Sequence, residues 1–200
     1  MSATLELIWD AASPNSYFVH RALPPVLERT GARLTYRICL LGGLFRASGN
    51  TEPMVKYAAV PNRLKYERLE IERFIAAHRL TRFSWNPHFP LRTVTTMRAA
   101  LLVEPARLPD YVETVLSAAW EQGLNLSDDA VLAATLDAGG FDGAALVDAT
   151  HDPAIKAQLI ANTDKAVADG AFGVPTFFVD GQMFWGKERL DQVEAALSAA

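Results

Sequence analysis

The sequence predicts an α/β fold in which a sheet opened at the N-terminus is completed at the C-terminus, with a large all-helical insertion between the two halves. Three observations carry that prediction. The apolar run Leu5 to Trp9 leads into Ser13-Pro14-Asn15-Ser16, a strand running into a helix start. Far along the chain, Gly173-Val174-Pro175-Thr176 opens onto Phe177-Phe178-Val179, which reads as a late strand. From Asn62 to Ala168 the apolar residues recur with helical periodicity.

Taken in order, Leu5 to Trp9 is the first strand. Ser13 then stands as helix N-cap, with Pro14 as first helical residue, where its fixed φ suits the turn. Pro24-Pro25 falls in the middle of that helix, so a kink or a break is expected near Leu23, with a second piece from Pro25 ending at Gly31. Leu34 to Leu41 reads as the second strand, terminated by Gly42-Gly43. Beyond Asn62, Leu64, Ile71, Phe74, Ile75 and His78 share one helical face, and Arg63/Glu67 and Arg68/Glu72 form i,i+4 pairs on the other. Further helices are expected over Arg92 to Val103, Leu108 to Gln122, Ser127 to Ala138 and Pro153 to Ala168. Asp180-Gly181 is a two-residue hairpin signal between Thr176–Asp180 and Gln182–Trp185. Lys187 to Ala199, with Leu190, Val193 and Leu197 on one stripe, closes the chain as a helix. Residues 1–50 and 171–200 therefore form one sheet-bearing unit, and residues 51–170 a helical insertion packed over the active end of its sheet.

Bulk properties exclude several function classes. The chain has 200 residues, is 50% hydrophobic and carries a net charge of −4, enough apolar material for a sizeable core and too little basic charge for a nucleic-acid footprint. No apolar run approaches the ~18 residues of a membrane span, and Met1 to Glu6 lacks a basic segment leading into an apolar one, so a cytoplasmic protein is expected. The single cysteine, Cys39, makes an internal disulfide impossible and suits a reducing compartment. The four histidines His20, His78, His88 and His151 show no metal-ligand spacing.

The chemistry-bearing residues lie at the two ends of the chain. A strand entering a helix start, paired with a Val-Pro that opens a late strand, is the skeleton of a thioredoxin-like active site, and here serines stand where that fold usually carries cysteines. Ser-x-x-Ser cannot form a disulfide, so a working site must borrow its sulfur, and glutathione is the obvious supplier. Ser13 alone is a common N-cap; at the head of the first helix, where free N–H groups and the dipole favour an anion, it becomes a candidate donor to a thiolate. One charge-assisted hydrogen bond of ~1.5 to 3 kcal/mol would lower a thiol pKa of ~8.5 by roughly one to two units. Ser16, one turn inward, is expected to pack or to hydrogen-bond locally. Val174-Pro175 is expected to be cis and to present a free backbone edge to a peptide-like ligand. Cys39, alternating like a core strand residue, is expected to be inert.

Trp9-Asp10-Ala11-Ala12-Ser13-Pro14-Asn15-Ser16-Tyr17, Gly49-Asn50, Gly173-Val174-Pro175-Thr176 and Trp185-Gly186-Lys187-Glu188-Arg189-Leu190 together resemble the bacterial 2-hydroxychromene-2-carboxylate isomerases and the kappa-class glutathione transferases, over nearly the whole chain. The resemblance implies a thioredoxin-like fold with a helical insertion, usually dimeric, that binds glutathione between the two parts. It implies that Ser13 contacts the glutathione sulfur and that the backbone of Val174, before Pro175, pairs with the tripeptide. Lys187 and Glu188 would grip its γ-glutamyl end, with Asn50 close by. Tyr17 and Asn86, the latter in Asn86-Pro87-His88-Phe89-Pro90, would line the pocket for a small aromatic keto acid. The implied reaction is cis-trans isomerisation with the glutathione thiolate as transient nucleophile. Two alternatives stay open, a kappa-class-like transferase or peroxidase and a non-catalytic thioredoxin-like binding protein. Ala11-Ala12 departs from the pattern, since relatives often carry a bulkier residue just before the serine, and would widen the site; Pro24-Pro25 departs from the regularity of the first helix.

Overall fold

A computed structural model describes residues 3–200 of the chain. Met1 and Ser2, the first two residues of the unit drawn over 1–50, lie outside the described residues. Four strands, β1 (Thr4–Trp9), β2 (Arg33–Ile38), β3 (Thr176–Val179) and β4 (Gln182–Trp185), form one sheet in the order β2-β1-β3-β4. β1 runs parallel to β2, with Trp9 beside Ile38, and antiparallel to β3, with Ile8 beside Thr176; β3 and β4 form the expected hairpin. Helices α1 (Pro14–Ala22), α2 (Pro24–Thr30) and α3 (Leu41–Ser48) accompany the first two strands. There follow α4 (Pro53–Lys56), α5 (Pro61–His78), α6 (Val94–Ala100), α7 (Leu108–Trp120), α8 (Asp129–Ala138), α9 (Gly143–Ala149) and α10 (Pro153–Ala168), and α11 (Leu190–Ala199) ends the chain. This is the expected thioredoxin-like α/β fold with its helical insertion.

The two faces of β1 follow strand alternation. Leu5, Leu7 and Trp9 enter the larger core with Phe18, Leu23, Phe177 and Val193, and this core continues into the insertion through Met97, Tyr111, Leu116 and Trp120. Ile8 points the other way, to Cys39, Leu44, Ala166, Ala171 and Val174. Both faces are covered, which is why the strand reads as a nearly unbroken apolar run. Each large side chain fully buried here contributes on the order of 1.5–3 kcal/mol, so this double burial anchors the N-terminal strand between its neighbours. At the rim of the second face Glu6 pairs with Arg37, which also reaches Asp169 at 2.5 Å.

The first helix breaks where the prolines demand. Leu23 keeps helical dihedrals and donates to Val19 O at 2.9 Å, after which Pro24 and Pro25, lacking N–H groups, start α2. α2 ends at Gly31, whose left-handed φ of 64° closes the last turn.

Gly42-Gly43 corrects the sequence reading. The pair does not terminate a strand: β2 stops at Ile38, and both glycines lie inside α3. No side chain at its own N-terminus caps α3; the Leu41 N–H is satisfied instead by Asp10 Oδ2 at 2.8 Å, and the Leu40 N–H by Thr163 Oγ1 at 3.1 Å. A helix whose caps come from distant segments carries no local start signal. Gly43 permits the close approach of α10, since a Cβ there would stand 2.9 Å from Thr163 Cγ2. α10, which the sequence reading groups with the insertion, packs against α3 and β2. On α5 the Arg63–Glu67 pair forms at 2.6 Å, while Arg73 pairs with Glu70 and no Arg68–Glu72 pair occurs among the described residues.

Gly43→Ala is therefore expected to destabilise by roughly 1–2 kcal/mol through overpacking, although Ala in an open helix position would stabilise by roughly 0.5–1 kcal/mol. Urea denaturation of Gly43→Ala alone and combined with Thr163→Ser measures this, and the second change, which removes Cγ2 and keeps the hydroxyl, should restore most of the loss.

Candidate active site

The register of the sheet builds the site. Because Ile8 pairs with Thr176, the end of β1 and the start of β3 lie at one edge of the fold, which brings the loop Asp10–Ser13 to the same end of the sheet as Val174-Pro175. Val174-Pro175 is a cis peptide, as expected, and Phe89-Pro90 in the insertion is a second one that the sequence reading did not anticipate. Gly186 N–H donates to Pro175 O at 3.0 Å, which places Lys187 and Glu188 beside the same bend. Asn50 Nδ2 donates to Phe172 O at 3.0 Å and its Oδ1 accepts from Thr51 N at 2.9 Å, so Asn50 steadies the segment leading into Gly173 and Val174. The Val174 side chain is buried in the second core, and its backbone N–H and C=O take no hydrogen bond among the described residues. That leaves a free stretch of backbone at the bend, just ahead of β3.

Ser13 fills the capping role that its sequence context allows and keeps a hydroxyl proton free. It is the N-cap of α1, accepting weakly from Ser16 N at 3.4 Å, and it is 6% exposed. A hydroxyl accepts on oxygen and still has its own proton to donate, so capping leaves Ser13 O–H available. The loop holding it is rigid. Ser13 N donates to Asp10 O at 3.1 Å, Ala12 N to Asp10 Oδ1 at 2.9 Å, and Trp120 Nε1 to Ala11 O at 2.9 Å. Ser16 Oγ, one turn inward, accepts from Asp10 N at 3.3 Å, the local bonding expected of it. Ala11 is fully buried under Trp120, so any widening from the Ala-Ala pair comes from Ala12.

Over this loop lies an aromatic wall supplied by the insertion. Trp120 stacks near Phe83 (6.2 Å between centroids), with Trp85 at 6.4 Å and Phe89 at 6.0 Å from it. Trp85 is 52% exposed and Phe89 37%, so the outer part of this wall is open to solvent. Tyr17 and Asn86 frame the wall from within. Tyr17 is buried, with its ring against Phe18 and Phe83 and its hydroxyl donated to Glu121 at 3.0 Å; burial, and then that carboxylate, hold its pKa above the ordinary value. Asn86 Nδ2 donates to Ala119 O and Leu124 O at 2.8 and 2.9 Å while Oδ1 accepts from His88 N, which folds the segment before the second cis proline.

At the other end of the site Lys187 is 3% exposed, with its ammonium paired to Glu188 and 5.6 Å from the Phe74 ring centroid on α5. Glu188 is half exposed, and the turn Lys187–Arg189 packs against α1. The pair thus sits at the boundary of sheet and insertion. Cys39 is far from exchange chemistry, since burial pushes its thiol up to about 12.

Two features escape the sequence reading. Asp10 is fully buried, with burial pushing its carboxyl above the ordinary value against the pull of Ala12, Thr93 and Leu41. The only hint in the sequence is a charge placed directly after an apolar strand. The second is a charged cluster on α1 and α7. Arg21 forks onto Glu113 at 2.8 Å and reaches Glu121 at 2.6 Å, His20 meets Glu113 at 2.8 Å, and Arg82 approaches the other Glu121 oxygen at 2.5 Å without hydrogen-bond geometry. Such pairing joins residues with no periodic relation in sequence.

Comparison with known proteins bears on the family and the fold. Residues 4–198 match the family described as DSBA-like thioredoxin domain. A 2-hydroxychromene-2-carboxylate isomerase of Sphingobium xenophagum is 30% identical over 201 residues, covering 98% of this chain and 99% of that protein. Glutathione S-transferase kappa 1 of Rattus norvegicus is 28% identical, covering 94% of this chain and 87% of that one. The solved structure of a 2-hydroxychromene-2-carboxylate isomerase superposes with a TM-score of 0.84 over 98% of this chain and 95% of that one at 23% identity, a likeness of fold.

Glu113 yields a pH test. Hydrogen bonds from His20, Arg21 and Ser117 hold its carboxyl below the usual carboxylate range. A carboxyl depressed in the folded state contributes stability that is present above its unfolded value and lost as pH falls below it. Glu113 is 46% exposed, so solvent screening limits the contribution to about 1 kcal/mol or less. Thermal melts should show the gap between wild type and Glu113→Gln narrowing as pH falls from neutral to about 3.

Proposed function

This chain belongs to the DSBA-like thioredoxin domain family, with the 2-hydroxychromene-2-carboxylate isomerases and their kappa-class glutathione transferase relatives, and from that premise we propose that it is a glutathione-dependent cis-trans isomerase. The substrates proposed are 2-hydroxychromene-2-carboxylate-like and benzylidenepyruvate-like compounds, small aromatic keto acids of aromatic catabolism. The observation that carries the reading is the juxtaposition of the Val174 backbone, unpaired among the described residues, with a hydroxyl at the head of α1, in a chain whose own thiol is buried and inert.

The residues present fit a cysteine-containing tripeptide. An extended peptide needs a donor and an acceptor on a free stretch of backbone, which Val174 offers, and its thiol needs a donor at a positive helix end, which Ser13 offers. When bound, glutathione would supply a sulfur nucleophile for reversible addition to a conjugated acid. Everything else is the work of this chain. Ser13 O–H donates toward the sulfur and favours its charged form, while the Asp10–Ser13 loop keeps that donor in place. Val174 and Pro175 orient the ligand backbone, with Asn50 holding the segment from behind. Glu188 pairs with the ligand ammonium, and Lys187, buried beside it, fixes its direction. The exposed rings of Trp85 and Phe89 receive the flat acceptor and exclude water, over a base set by Tyr17 and Asn86. The proposal extends to a homodimer in the cytoplasm, a reducing compartment that a chain with one cysteine suits.

The kappa-class relative favours a second reading, a transferase or peroxidase that consumes glutathione. Stoichiometry separates the two. With a benzylidenepyruvate-type substrate, turnover should require glutathione and leave its concentration unchanged; consumption mole for mole would favour the transferase, and extended-peptide binding without turnover the non-catalytic reading. Ser13→Ala should lower turnover on the order of a hundredfold, the scale of losing one stabilising donor. Its stability should fall by no more than ~0.5–1 kcal/mol, the low end for an N-cap, because the cap bond is long. Unchanged turnover would remove Ser13 from the proposed role.

A further inference from the structure

Asp10 is the most heavily engaged buried charge in the structure, and no step above uses its side chain directly. Its Oδ1 accepts from Ala12 N at 2.9 Å and from Thr93 Oγ1 at 2.6 Å, and its Oδ2 accepts from Leu41 N at 2.8 Å. Its backbone accepts from Ser13 N and donates to Ser16 Oγ. These partners come from three separate segments that each begin a helix. Ser13 caps α1, Leu41 is the first residue of α3, and Thr93 is the N-cap of α6. Thr93 leaves the first turn of α6 without a side-chain cap and gives its hydroxyl to Asp10 instead. One carboxylate therefore ties the proposed thiol site to the second sheet face through α3 and to the insertion through α6.

Burying a carboxyl is costly unless every oxygen is satisfied, and such a group is retained where a particular geometry must be held. The geometry held here is that of the loop carrying Ser13. We infer that Asp10 is a positioning residue for Ser13, fixing through the Ala12, Leu41 and Thr93 donors the direction in which that hydroxyl meets a bound thiol. The inference rests on the reading of the site given above. It concerns kcat and thiol acidity, because Asp10 touches neither ligand nor substrate. Asn is nearly the same shape, yet it has one accepting oxygen in place of two, so either Leu41 N–H or the Ala12 and Thr93 pair must lose its acceptor.

Asp10→Asn and Thr93→Val should be compared with wild type by amide hydrogen exchange, by steady-state kinetics with glutathione, and by pH titration of the ultraviolet thiolate absorbance of added reduced glutathione. Asp10→Asn should exchange either the Ala12 or the Leu41 amide about tenfold faster, keep KM for glutathione within about threefold, lower kcat about tenfold and raise the pH at which the bound thiol ionises by about one unit. Thr93→Val should move the same quantities in the same direction by less. A purely structural Asp10 would lower stability without moving thiol acidity or kcat per folded molecule, and that outcome overturns the inference while leaving the site reading intact. If Asp10→Asn does not fold, an unchanged thiol titration and kcat in Thr93→Val overturns it. If glutathione titrates with wild type as it does free in solution, the site reading fails and this inference falls with it.

Discussion

The antiparallel pairing of β1 with β3 is the contact on which the rest depends. It joins the two ends of the chain, places Ile8 beside Thr176, and thereby sets the loop before α1 against the bend before β3. The long helical stretch between them adds little to the cost of closure, since each doubling of a loop adds only about 0.6 kcal/mol. Burial of Leu5, Leu7, Ile8, Phe177 and Val179 on the two faces outweighs that cost several times over. The consequence falls on folding rate, because the site is assembled only when the most distant strands have met.

Once the strands are paired, the backbone and not a reactive side chain defines the site. Val174 buries its side chain in the second core and leaves its peptide groups open, while Gly186 and Asn50 brace the residues on either side. Gly173 serves the same end, since a Cβ there would stand 3.0 Å from the Trp185 indole nitrogen and any larger residue would press on that ring. The insertion contributes a different chemistry. Among the described residues, the rings of its aromatic wall make one directional bond to the sheet unit, from Trp120 to Ala11 O, and otherwise pack on it through Phe83 against Tyr17 and Phe18. A tightly tied loop facing a more loosely bonded apolar wall suits a site that holds one ligand by its backbone and receives another by its flat face.

How much of this was legible in the sequence follows from where each signal lies. The prolines at 24 and 25 act on their own backbone, so the break at Leu23 and the end at Gly31 could be read directly. Ser13-Pro14 and Asp180-Gly181 were equally local, and α10 began and ended where its periodicity did. α3 was invisible, since its caps are Asp10 and Thr163 and its glycines answer to a helix far along the chain. The same cause hid Asp10 itself, whose importance lies in three partners spread over the fold, and the Arg21 cluster, which joins α1 to one face of α7 far along the chain. Tyr17 and Asn86 were singled out by the resemblance as pocket residues, and their hydrogen bonds, to Glu121 and to the Ala119 and Leu124 carbonyls, appear only in three dimensions.

The account's central claim is that this chain cradles a borrowed sulfur between Ser13 and Val174. A crystal structure of the protein with reduced glutathione tests it most directly. The account predicts the tripeptide extended along Val174, with its sulfur within hydrogen-bond distance, about 3.0–3.5 Å, of Ser13 Oγ and its γ-glutamyl end at Glu188. Glutathione bound elsewhere, or bound here with its sulfur turned away from Ser13, would contradict it.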